Sequence, residues 1–331
     1  MSLNNRSILV TGGAGYIGSH AVLALLDAGA KVSVIDNLVT GFQWAVDDKA
    51  TFFEADIGDG DAVRTILRER DIQSILHFAG SVVVPESVEN PLKYYRNNTA
   101  NTRTLLEAAV EMDVTDFIFS STAAVYGTPS VKQVREDTEK APINPYGTSK
   151  LMTEMMLADV AAAHPLRYAA LRYFNVAGAD PDLRTGQSTK DATHLIKVAV
   201  QTALGRREKM AMFGTDFDTV DGTGVRDYIH VSDLVSAHVA ALEHLVADKA
   251  KALTMNLGYG RGASVKQVID TVQAVTGLPV AHEAAPRRAG DPAELVSDIS
   301  KLQETLDWTP RHDDLSLIVK TAFEWEKRLN H

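Results

Sequence analysis

A tyrosine and a lysine lie four residues apart in the segment YGTSK, as Tyr146 and Lys150. At the start of a predicted helix, this spacing places the phenol and the ammonium on one face, where both can reach one bound molecule. A phenol is a poor base at neutral pH, and positive charge beside it favours the phenolate. The pair therefore predicts a proton-transfer site. A lone pair at this spacing also fits an ordinary surface helix start, so the prediction depends on the surrounding elements.

A hydroxyl residue follows the strand-like run that precedes this pair in the chain. The run FIFSST ends at Thr122. A hydroxyl there can complete a Thr–Tyr–Lys set, because Thr can donate and accept the same short hydrogen bond as Ser. We therefore take Thr122, Tyr146 and Lys150 as the candidate catalytic residues.

A glycine-rich turn near the N-terminus indicates where a cofactor binds. The segment TGGAGYIG, residues 11–18, follows an apolar strand and opens a predicted helix. It fits both GxGxxG (Gly13, Gly15, Gly18) and GxxGxxG (Gly12, Gly15, Gly18). Glycines at a helix N-terminus let backbone N–H groups approach a pyrophosphate. The turn predicts a dinucleotide site, and the alternative is an ordinary glycine-rich strand-to-helix turn.

An acidic residue at the end of the second predicted strand indicates which dinucleotide binds. Asp36 lies 18 residues after Gly18, close to the spacing of about 20 expected for the acid that binds an adenosine ribose. A carboxylate there accepts from the ribose hydroxyls and repels a 2′-phosphate. The sequence thus favours NAD over NADP, although Asp36 taken alone also fits a cap for the following turn.

The first half of the chain alternates β-branched runs with helix-length segments. Strands are predicted at residues 7–10, 31–35, 50–54, 74–78, 117–120 and 168–173, with helices at residues 59–70 and 97–112, before residue 28 and after Tyr146. This alternation is typical of an α/β fold with a doubly wound, Rossmann-type parallel sheet. The strands are continuously apolar, as expected when helices cover both faces.

The rhythm breaks after Asn175 in a stretch rich in Gly, Asp and Pro. We therefore predict a cofactor-binding domain at residues 1–176 and a smaller mixed α/β substrate domain at residues 177–331. Part of the segment from about residue 226 to 258 is expected to return to the first domain. Helices in the second part are predicted at residues 193–204, 232–246 and 264–275.

The composition argues against several classes of protein. With a net charge of −10, the chain lacks the basic surplus that nucleic-acid binders need. The absence of cysteine excludes disulfides and thiolate chemistry, and His20, His77, His194 and His230 show no metal-ligand spacing, so no metal is expected. A polar N-terminus and short apolar runs predict a cytoplasmic protein that does not bind membranes.

Segments spread along nearly the whole chain resemble the extended short-chain dehydrogenase/reductase family, and within it the nucleotide-sugar 4-epimerases. They are Thr11–His20, Ile35–Asn37, residues 56–57, His77–Gly80, Tyr94–Asn98, Phe117–Gly127, Pro145–Met152, Leu171–Gly178, Asp221–Asp233 and Pro286–Asp291. The resemblance implies an NAD-dependent enzyme that inverts C4 of a UDP-hexose, UDP-galactose to UDP-glucose, through a transient 4-keto sugar. It also implies a homodimer, with the helices near residues 97–112 and after Tyr146 forming the interface.

The resemblance assigns roles residue by residue. Tyr146 would be the base, Lys150 would bind the nicotinamide ribose and tune Tyr146, and Thr122 stands where the family usually has Ser. Cofactor contacts are implied for Gly12, Gly15, Tyr16, Ile17, Gly18, Asp36, Asn37, Asp56, Ile57, Phe78, Ala79, Gly80, Asn97, Tyr146, Lys150 and Tyr173. Substrate contacts are implied for Thr122, Tyr146, Asn175, Leu195, Arg226, Arg288 and Asp291. Without the family, Arg226 fits a local ion pair with Asp227 equally well, and Asn175 fits a turn.

Departures from the family pattern leave alternatives open. Val82 stands where many members have a cofactor-binding lysine, and His194 replaces a common Asn. The residues after Thr122 are Ala123 and Ala124, so the acid or base of the related dehydratases and decarboxylases is missing. A 4-epimerase of UDP-GlcNAc/GalNAc or of UDP-arabinose/xylose stays open because Leu295, near the sugar pocket, has intermediate bulk. A non-catalytic NAD-binding sensor is the alternative from another class.

Overall fold

Seven parallel strands form the main sheet of the structure, a computed structural model that describes residues 3–190, 192–288 and 290–329. The strands are β1 (Ser7–Thr11), β2 (Lys31–Asp36), β3 (Thr51–Glu54), β4 (Ser74–His77), β5 (Asp116–Thr122), β7 (Arg167–Tyr173) and β11 (Ala252–Leu257). Their spatial order is β11-β7-β5-β4-β1-β2-β3. The order reverses between β1 and β4, and ligands of such sheets bind at this point, beyond the carboxyl ends of the strands. The predicted α/β fold with a Rossmann-type sheet is confirmed. Ala289, inside the predicted motif Pro286–Asp291, and the outer ends of both predicted domains lie outside the described residues.

Helices cover both faces of this sheet because alternate strand residues point to opposite sides. On one face, α1 (Tyr16–Asp27) and α8 (Val231–Val246) pack on Ile8, Val10 and Ile118. On the other face, α2 (Gly60–Glu69), α5 (Asn101–Glu111) and α6 (Pro145–Ala163) pack on Leu9 and Phe117. Both faces of the central strands are therefore buried, which explains their uninterrupted apolar runs, whereas the edge strand β3 is only partly buried.

The remaining elements form a mixed region beside the carboxyl ends of the main strands. A second sheet has the order β12-β10-β14-β6, with β8 also paired to β10, and a third pairs β9 with β13. These strands are β6 (Gln133–Val134), β8 (Asn175–Ala177), β9 (Met210–Phe213), β10 (Val225–His230), β12 (Gly262–Ser264), β13 (His282–Ala285) and β14 (Glu294–Ser297). The other helices are α3 (Val84–Glu89), α4 (Pro91–Tyr94), α7 (Leu195–Ala203), α9 (Val265–Thr276), α10 (Ser300–Thr305) and α11 (Leu315–Arg328). In the described part of the chain, no helix combines the length and apolarity needed to cross a bilayer.

The chain crosses between the two regions more than once. The strand β8 already pairs with β10, whereas β11 pairs with β7 at the edge of the main sheet. The helix α8 lies against β5 and β7 on the way back. The division of the chain after residue 176 stays a prediction.

One predicted helix differs from the structure in where it begins. The helix predicted at residues 97–112 begins only at Asn101, because Tyr95–Ala100 form a wide π-helical turn. Such turns are often found at functional sites. Of the three methionines of α6, only Met156 packs against the core, whereas Met152 and Met155 are 41% and 61% exposed.

A buried ion pair joins three of the elements that carry the candidate catalytic residues. On β7, Arg172 donates to both carboxylate oxygens of Glu154 on α6, at 2.9 and 2.6 Å. The hydroxyl of Ser121 on β5 donates to the same carboxylate at 2.5 Å. Both charged side chains are more than nine-tenths buried, and the pKa of Arg172 is raised because the Glu154 carboxylate outweighs burial. The pair fixes the spacing of β5, α6 and β7.

We expect Glu154→Gln to lower the free energy of unfolding by about 3 kcal/mol, because it leaves a buried guanidinium without its counter-charge. Urea denaturation followed by circular dichroism measures the loss. The matched control is Glu107→Gln, which breaks an exposed pair with Arg103 on α5 and should cost less than about 1 kcal/mol. Equal losses in the two variants would contradict a structural role for the buried pair.

Candidate active site

The candidate catalytic side chains meet where β5 ends and α6 begins. The helix α6 starts with Pro145 in its first turn and with Asn144 as its N-cap, whose side chain accepts from Gly147 N at 2.9 Å. Both features favour helix initiation at this residue. Tyr146 and Lys150 are thus one turn apart on a well-capped helix, and both are buried. The Thr122 hydroxyl, at the last residue of β5, is hydrogen-bonded to the Tyr146 phenol. The structure therefore brings the three predicted residues together.

Burial acts in opposite directions on the two titratable groups. It raises the pKa of the Tyr146 phenol, while the hydrogen bond from Thr122 opposes the rise. It lowers the pKa of the Lys150 ammonium to about 8. Desolvation penalises the charged form of each group, so the phenol keeps its proton until a further positive charge arrives. Lys150 is still mainly protonated at neutral pH.

Ser120, two residues before the end of β5, was missed by the sequence analysis. Its carbonyl oxygen accepts from Lys150 Nζ at 3.0 Å, and its hydroxyl is hydrogen-bonded to the hydroxyl of Tyr173. Tyr173 ends the neighbouring strand β7, and burial raises the pKa of its phenol. The contact between Lys150 and the Ser120 carbonyl could not be predicted from the sequence, because every residue type has the same backbone carbonyl.

The glycine-rich turn connects β1 to α1, as predicted. At Gly12, φ is +70°, and a Cβ would lie 2.6 Å from Ala79 N. At Gly18, a Cβ would lie 2.1 Å from Gly12 O. Side chains at either position would force the turn open, so these two glycines bring β1, α1 and the residues after β4 into close contact.

The same turn fits the pyrophosphate of a dinucleotide. Gly15 precedes α1, and among the described residues no side chain caps the helix there. The first N–H groups of a helix have no partner within it and attract anions. A Cβ at Gly15 would meet only Gly12 O, at 3.3 Å, so the outer side of the turn is open to a ligand. Ile17 instead packs on the core beneath, and the Tyr16 hydroxyl donates to Gly178 O at 2.7 Å.

The predicted adenosine contacts lie at the carboxyl ends of β2 and β3. The Asp36 carboxylate accepts from Ala14 N at 3.0 Å and from Leu38 N at 2.9 Å, and burial raises its pKa. Asn37 Nδ2 donates to the Asp56 carboxylate at 2.8 Å. The adjacent Ile57 is buried, at 6% exposure. An acid, an amide and an apolar wall are thus available for a ribose and an adenine.

The segment that follows β4 lies against the glycine-rich turn. Ala79 N donates to the Thr11 hydroxyl at 3.3 Å, and the ring of Phe78 lies 5.1 Å from that of His238 on α8. The Asn97 amide donates to Ser81 Oγ at 3.0 Å. Where the family pattern has a lysine, the side chain of Val82 is half exposed.

Asn98, next to the predicted Asn97, was missed. It is 2% exposed, and its amide nitrogen donates to Ser81 O and to the Ser149 hydroxyl on α6, both at 3.0 Å. A Cβ at Gly80 would lie 2.9 Å from its side-chain oxygen. The wide π-helical turn places this amide between the post-β4 segment and α6, which no helical periodicity would have indicated.

Two predicted substrate contacts share one hollow at the start of α7. Asn175 and Leu195 both line it, together with His194, Gln187, Tyr228 and Trp325. Asn175 begins β8, and its amide donates to Asp227 O at 3.2 Å; it is therefore not a turn residue. His194 Nδ1 lies 2.9 Å from the Gln187 amide.

The charged residues predicted to bind substrate are paired with other groups. Arg226 Nη2 donates to Asp291 at 2.8 Å, so the alternative of a local pair with Asp227 is wrong. Asp227 is fully buried and accepts from Ser297 and from Tyr259 N. The guanidinium of Arg288 lies 4.0 Å from the centre of the Phe213 ring. The structure brings Arg226 and Asp291 together and places Arg288 on the exposed rim.

Comparison with known proteins agrees with this geometry. The model of the NAD dependent epimerase/dehydratase family matches residues 8–258. A UDP-glucose 4-epimerase of Azospirillum brasilense is 55% identical over 97% of this chain and 92% of its own length. The crystal structure of UDP-glucose 4-epimerase from Brucella ovis in complex with NAD is 44% identical, covers 96% of this chain and 98% of that one, and has a TM-score of 0.94.

The UDP-Glc/GlcNAc 4-epimerase from Campylobacter jejuni is similar as well, with 48% identity, coverage of 98% of this chain and 100% of that one, and a TM-score of 0.87. The predicted resemblance to nucleotide-sugar 4-epimerases and the predicted cofactor are confirmed. Since the family model covers most of the chain and the relatives match it nearly end to end, this protein belongs to the NAD dependent epimerase/dehydratase family.

Proposed function

We propose that the protein inverts C4 of a UDP-hexose, converting UDP-galactose to UDP-glucose through a transient 4-keto sugar. The observation that carries the proposal is the buried Thr122–Tyr146 hydrogen bond, one helical turn from Lys150 and at the carboxyl end of the sheet that also carries the glycine-rich turn. Relatives at up to 55% identity are UDP-glucose 4-epimerases. Bound NAD would supply the hydride acceptor for C4 and, once reduced, the hydride donor for the keto sugar.

Tyr146 serves as the base that takes the proton of the sugar 4-hydroxyl. In the protein alone, burial raises the pKa of the Tyr146 phenol. The phenol therefore keeps its proton. The positive charges of Lys150 and of an oxidised nicotinamide favour the phenolate. Proton removal is thus coupled to the presence of the oxidised cofactor. The Thr122 hydroxyl stabilises the phenolate by donating a hydrogen bond to it.

Lys150 binds the nicotinamide ribose. Its ammonium has three hydrogens that can be donated. One hydrogen bond runs from Lys150 Nζ to Ser120 O, at a distance of 3.0 Å. The remaining donor capacity of this buried group suits the ribose hydroxyls. The other cofactor contacts that we propose are Gly12, Gly15, Tyr16, Ile17, Gly18, Asp36, Asn37, Asp56, Ile57, Phe78, Ala79, Gly80, Asn97, Tyr146 and Tyr173.

The UDP group is bound firmly while the keto sugar changes the face that it presents to the cofactor. Arg226 and Arg288 bind the diphosphate, Asp291 binds the uridine ribose, and Asn175 and Leu195 line the sugar end. The Arg226–Asp291 contact supports this arrangement, because the carboxylate orients a guanidinium whose remaining N–H groups suit phosphate oxygens. Inversion requires the keto sugar to present both faces, so the sugar end must be packed loosely.

The residues after Thr122 favour epimerisation over elimination. Ala123 and Ala124 begin a 3-10 turn at the end of β5, and neither side chain can transfer a proton. A dehydratase or decarboxylase needs an acid or a base there. Of Ala123, Ala124 and Tyr146, only Tyr146 can therefore transfer a proton.

We also propose that the protein forms a homodimer and is located in the cytoplasm. An apolar hollow between α5 and α6 is lined by Tyr95, Thr99, Ala100, Arg103, Met152 and Met156. Met155 and Leu92 are exposed nearby, at 61% and 77%. Exposed apolar groups gathered on two neighbouring helices suit a second copy of the chain. We also propose the division into residues 1–176 and 177–331, with part of the segment from about residue 226 to 258 returning to the first domain.

The function is tested by assaying the purified protein on UDP-galactose with coupled detection of UDP-glucose. We expect steady turnover, and NAD in the nucleotide released on denaturation. UDP-GalNAc and UDP-arabinose serve as competing substrates. Faster turnover of either would change the proposed sugar, and bound NAD without turnover of any of the three would favour a sensor.

Replacing the base should abolish turnover while leaving the cofactor site intact. We expect Tyr146→Phe to lower kcat by about 10²–10⁴-fold, the usual contribution of a general base, with bound NAD retained. The control is Tyr168→Phe, which removes a hydroxyl at the opposite end of β7 and should leave kcat unchanged. Full activity of Tyr146→Phe would rule out Tyr146 as the base.

Charge placed on the apolar face of α6 should split the dimer. We expect the double variant Met152→Lys/Met155→Lys to sediment as a monomer, because a dimer would have to bury unpaired ammonium groups. Sedimentation equilibrium measures the mass. Val220→Lys, a change at another exposed apolar residue, is the control and should stay dimeric. A dimer that persists in the double variant would place the interface elsewhere.

A further inference from the structure

The loop at residues 38–46, which follows β2, is attached to the glycine-rich turn. Phe42 N donates to Ala14 O at 2.9 Å, and the Asp36 carboxylate accepts from Ala14 N. A Cβ at Gly41 would lie 2.9 Å from Ala14 Cβ. The loop therefore borders the site proposed for the adenosine half of NAD.

The loop begins with an uncommon backbone conformation. Leu38 has a φ of +58°, a left-handed conformation that is unfavourable for a residue with a side chain. Its N–H donates to the Asp36 carboxylate at 2.9 Å. The same carboxylate is a proposed ribose contact, so the start of the loop and the proposed cofactor site share one group.

The far end of the loop carries an exposed tryptophan. Trp44 is 57% exposed. Its ring lies 5.4 Å from that of Phe42 and 6.3 Å from that of Trp325, with an angle of 28° between the two indole planes. This separation and tilt suit offset stacking of aromatic rings.

Trp325 provides a rigid surface for this contact. It lies on α11, near the other end of the chain, and is 7% exposed. Its Nε1 donates to Ser188 Oγ at 3.3 Å, and Gly186 lies so close that a Cβ there would be 2.4 Å from the indole. Trp44 is thus the exposed member of the pair and Trp325 the buried one.

We propose that Trp44 and Trp325 form a clasp that holds the loop at residues 38–46 against the cofactor site and slows the release of NAD. The enzyme must keep its cofactor through both hydride transfers, so slow release favours turnover. Trp44 acts through the loop and is a positioning residue. The inference rests on the proposed function only for the location of the bound NAD.

The test measures the rate at which NAD leaves the loaded protein. Protein loaded with radiolabelled NAD is mixed with excess unlabelled NAD, and the label that remains bound is followed with time. An aromatic pair contributes about 0.5–1.5 kcal/mol, so we expect Trp44→Ala to release NAD about twofold to twelvefold faster. Trp44→Phe keeps an aromatic face and should restore slow release to within about twofold of the unchanged protein.

The matched control is Val39→Ala, on the same loop and at a more exposed residue, which should release NAD at the unchanged rate. Thermal melting of the NAD-free proteins checks that Trp44→Ala folds as before. Unchanged release from Trp44→Ala, or equally fast release from Val39→Ala, would overturn the clasp. Failure of the unchanged protein to bind NAD would instead contradict the proposed function.

Discussion

The buried ion pair between Arg172 and Glu154 is the constraint on which the candidate active site depends. Both of its members, and Ser121, which donates to Glu154, lie close in sequence to a candidate catalytic or cofactor residue. Ser121 precedes Thr122 on β5, Glu154 lies one turn after Lys150 on α6, and Arg172 precedes Tyr173 on β7. A buried charge pair is stable only with good geometry and further hydrogen bonds. The contacts of Glu154 with Arg172 and Ser121 therefore hold α6 against β7 and β5, next to the Thr122 hydroxyl and the Tyr146 phenol.

Burial has a second consequence, because it acts on the chemistry as well as on the architecture. It raises the pKa of the Tyr146 phenol and lowers that of the Lys150 ammonium to about 8. Both shifts disfavour charge in the site of the protein alone. A cationic ligand reverses the penalty on the phenolate, so the pair is set up to work only with its cofactor in place. The same low-polarity environment makes each hydrogen bond in the site stronger than it would be in water.

The two halves of the site differ in how rigidly the chain holds them. Around the proposed cofactor site, glycines at positions 12 and 18 leave no space for a Cβ, and Asp36 accepts two backbone N–H groups. At the proposed nucleotide end of the substrate, Arg226 and Asp291 are joined by a hydrogen bond, and the side chain of Arg288 is exposed beside Phe213. The cofactor end of the site is therefore fixed by the backbone, whereas the proposed substrate end is formed by charged side chains.

The sequence by itself determined what local chemistry and periodicity encode. Apolar strand runs indicated a sheet covered on both faces, the glycine spacing indicated the dinucleotide turn, and Asp36, Tyr146 and Lys150 were identified from residue type and position. Only the tertiary structure showed the partners that come from distant parts of the chain, such as Ser120 O for Lys150, Asp291 for Arg226 and Trp325 for Trp44. Backbone carbonyls and long-range ring contacts leave no pattern in a single sequence. The wide turn at Tyr95–Ala100 was also missed, because its hydrogen bonding depends on what Asn98 meets across the cleft.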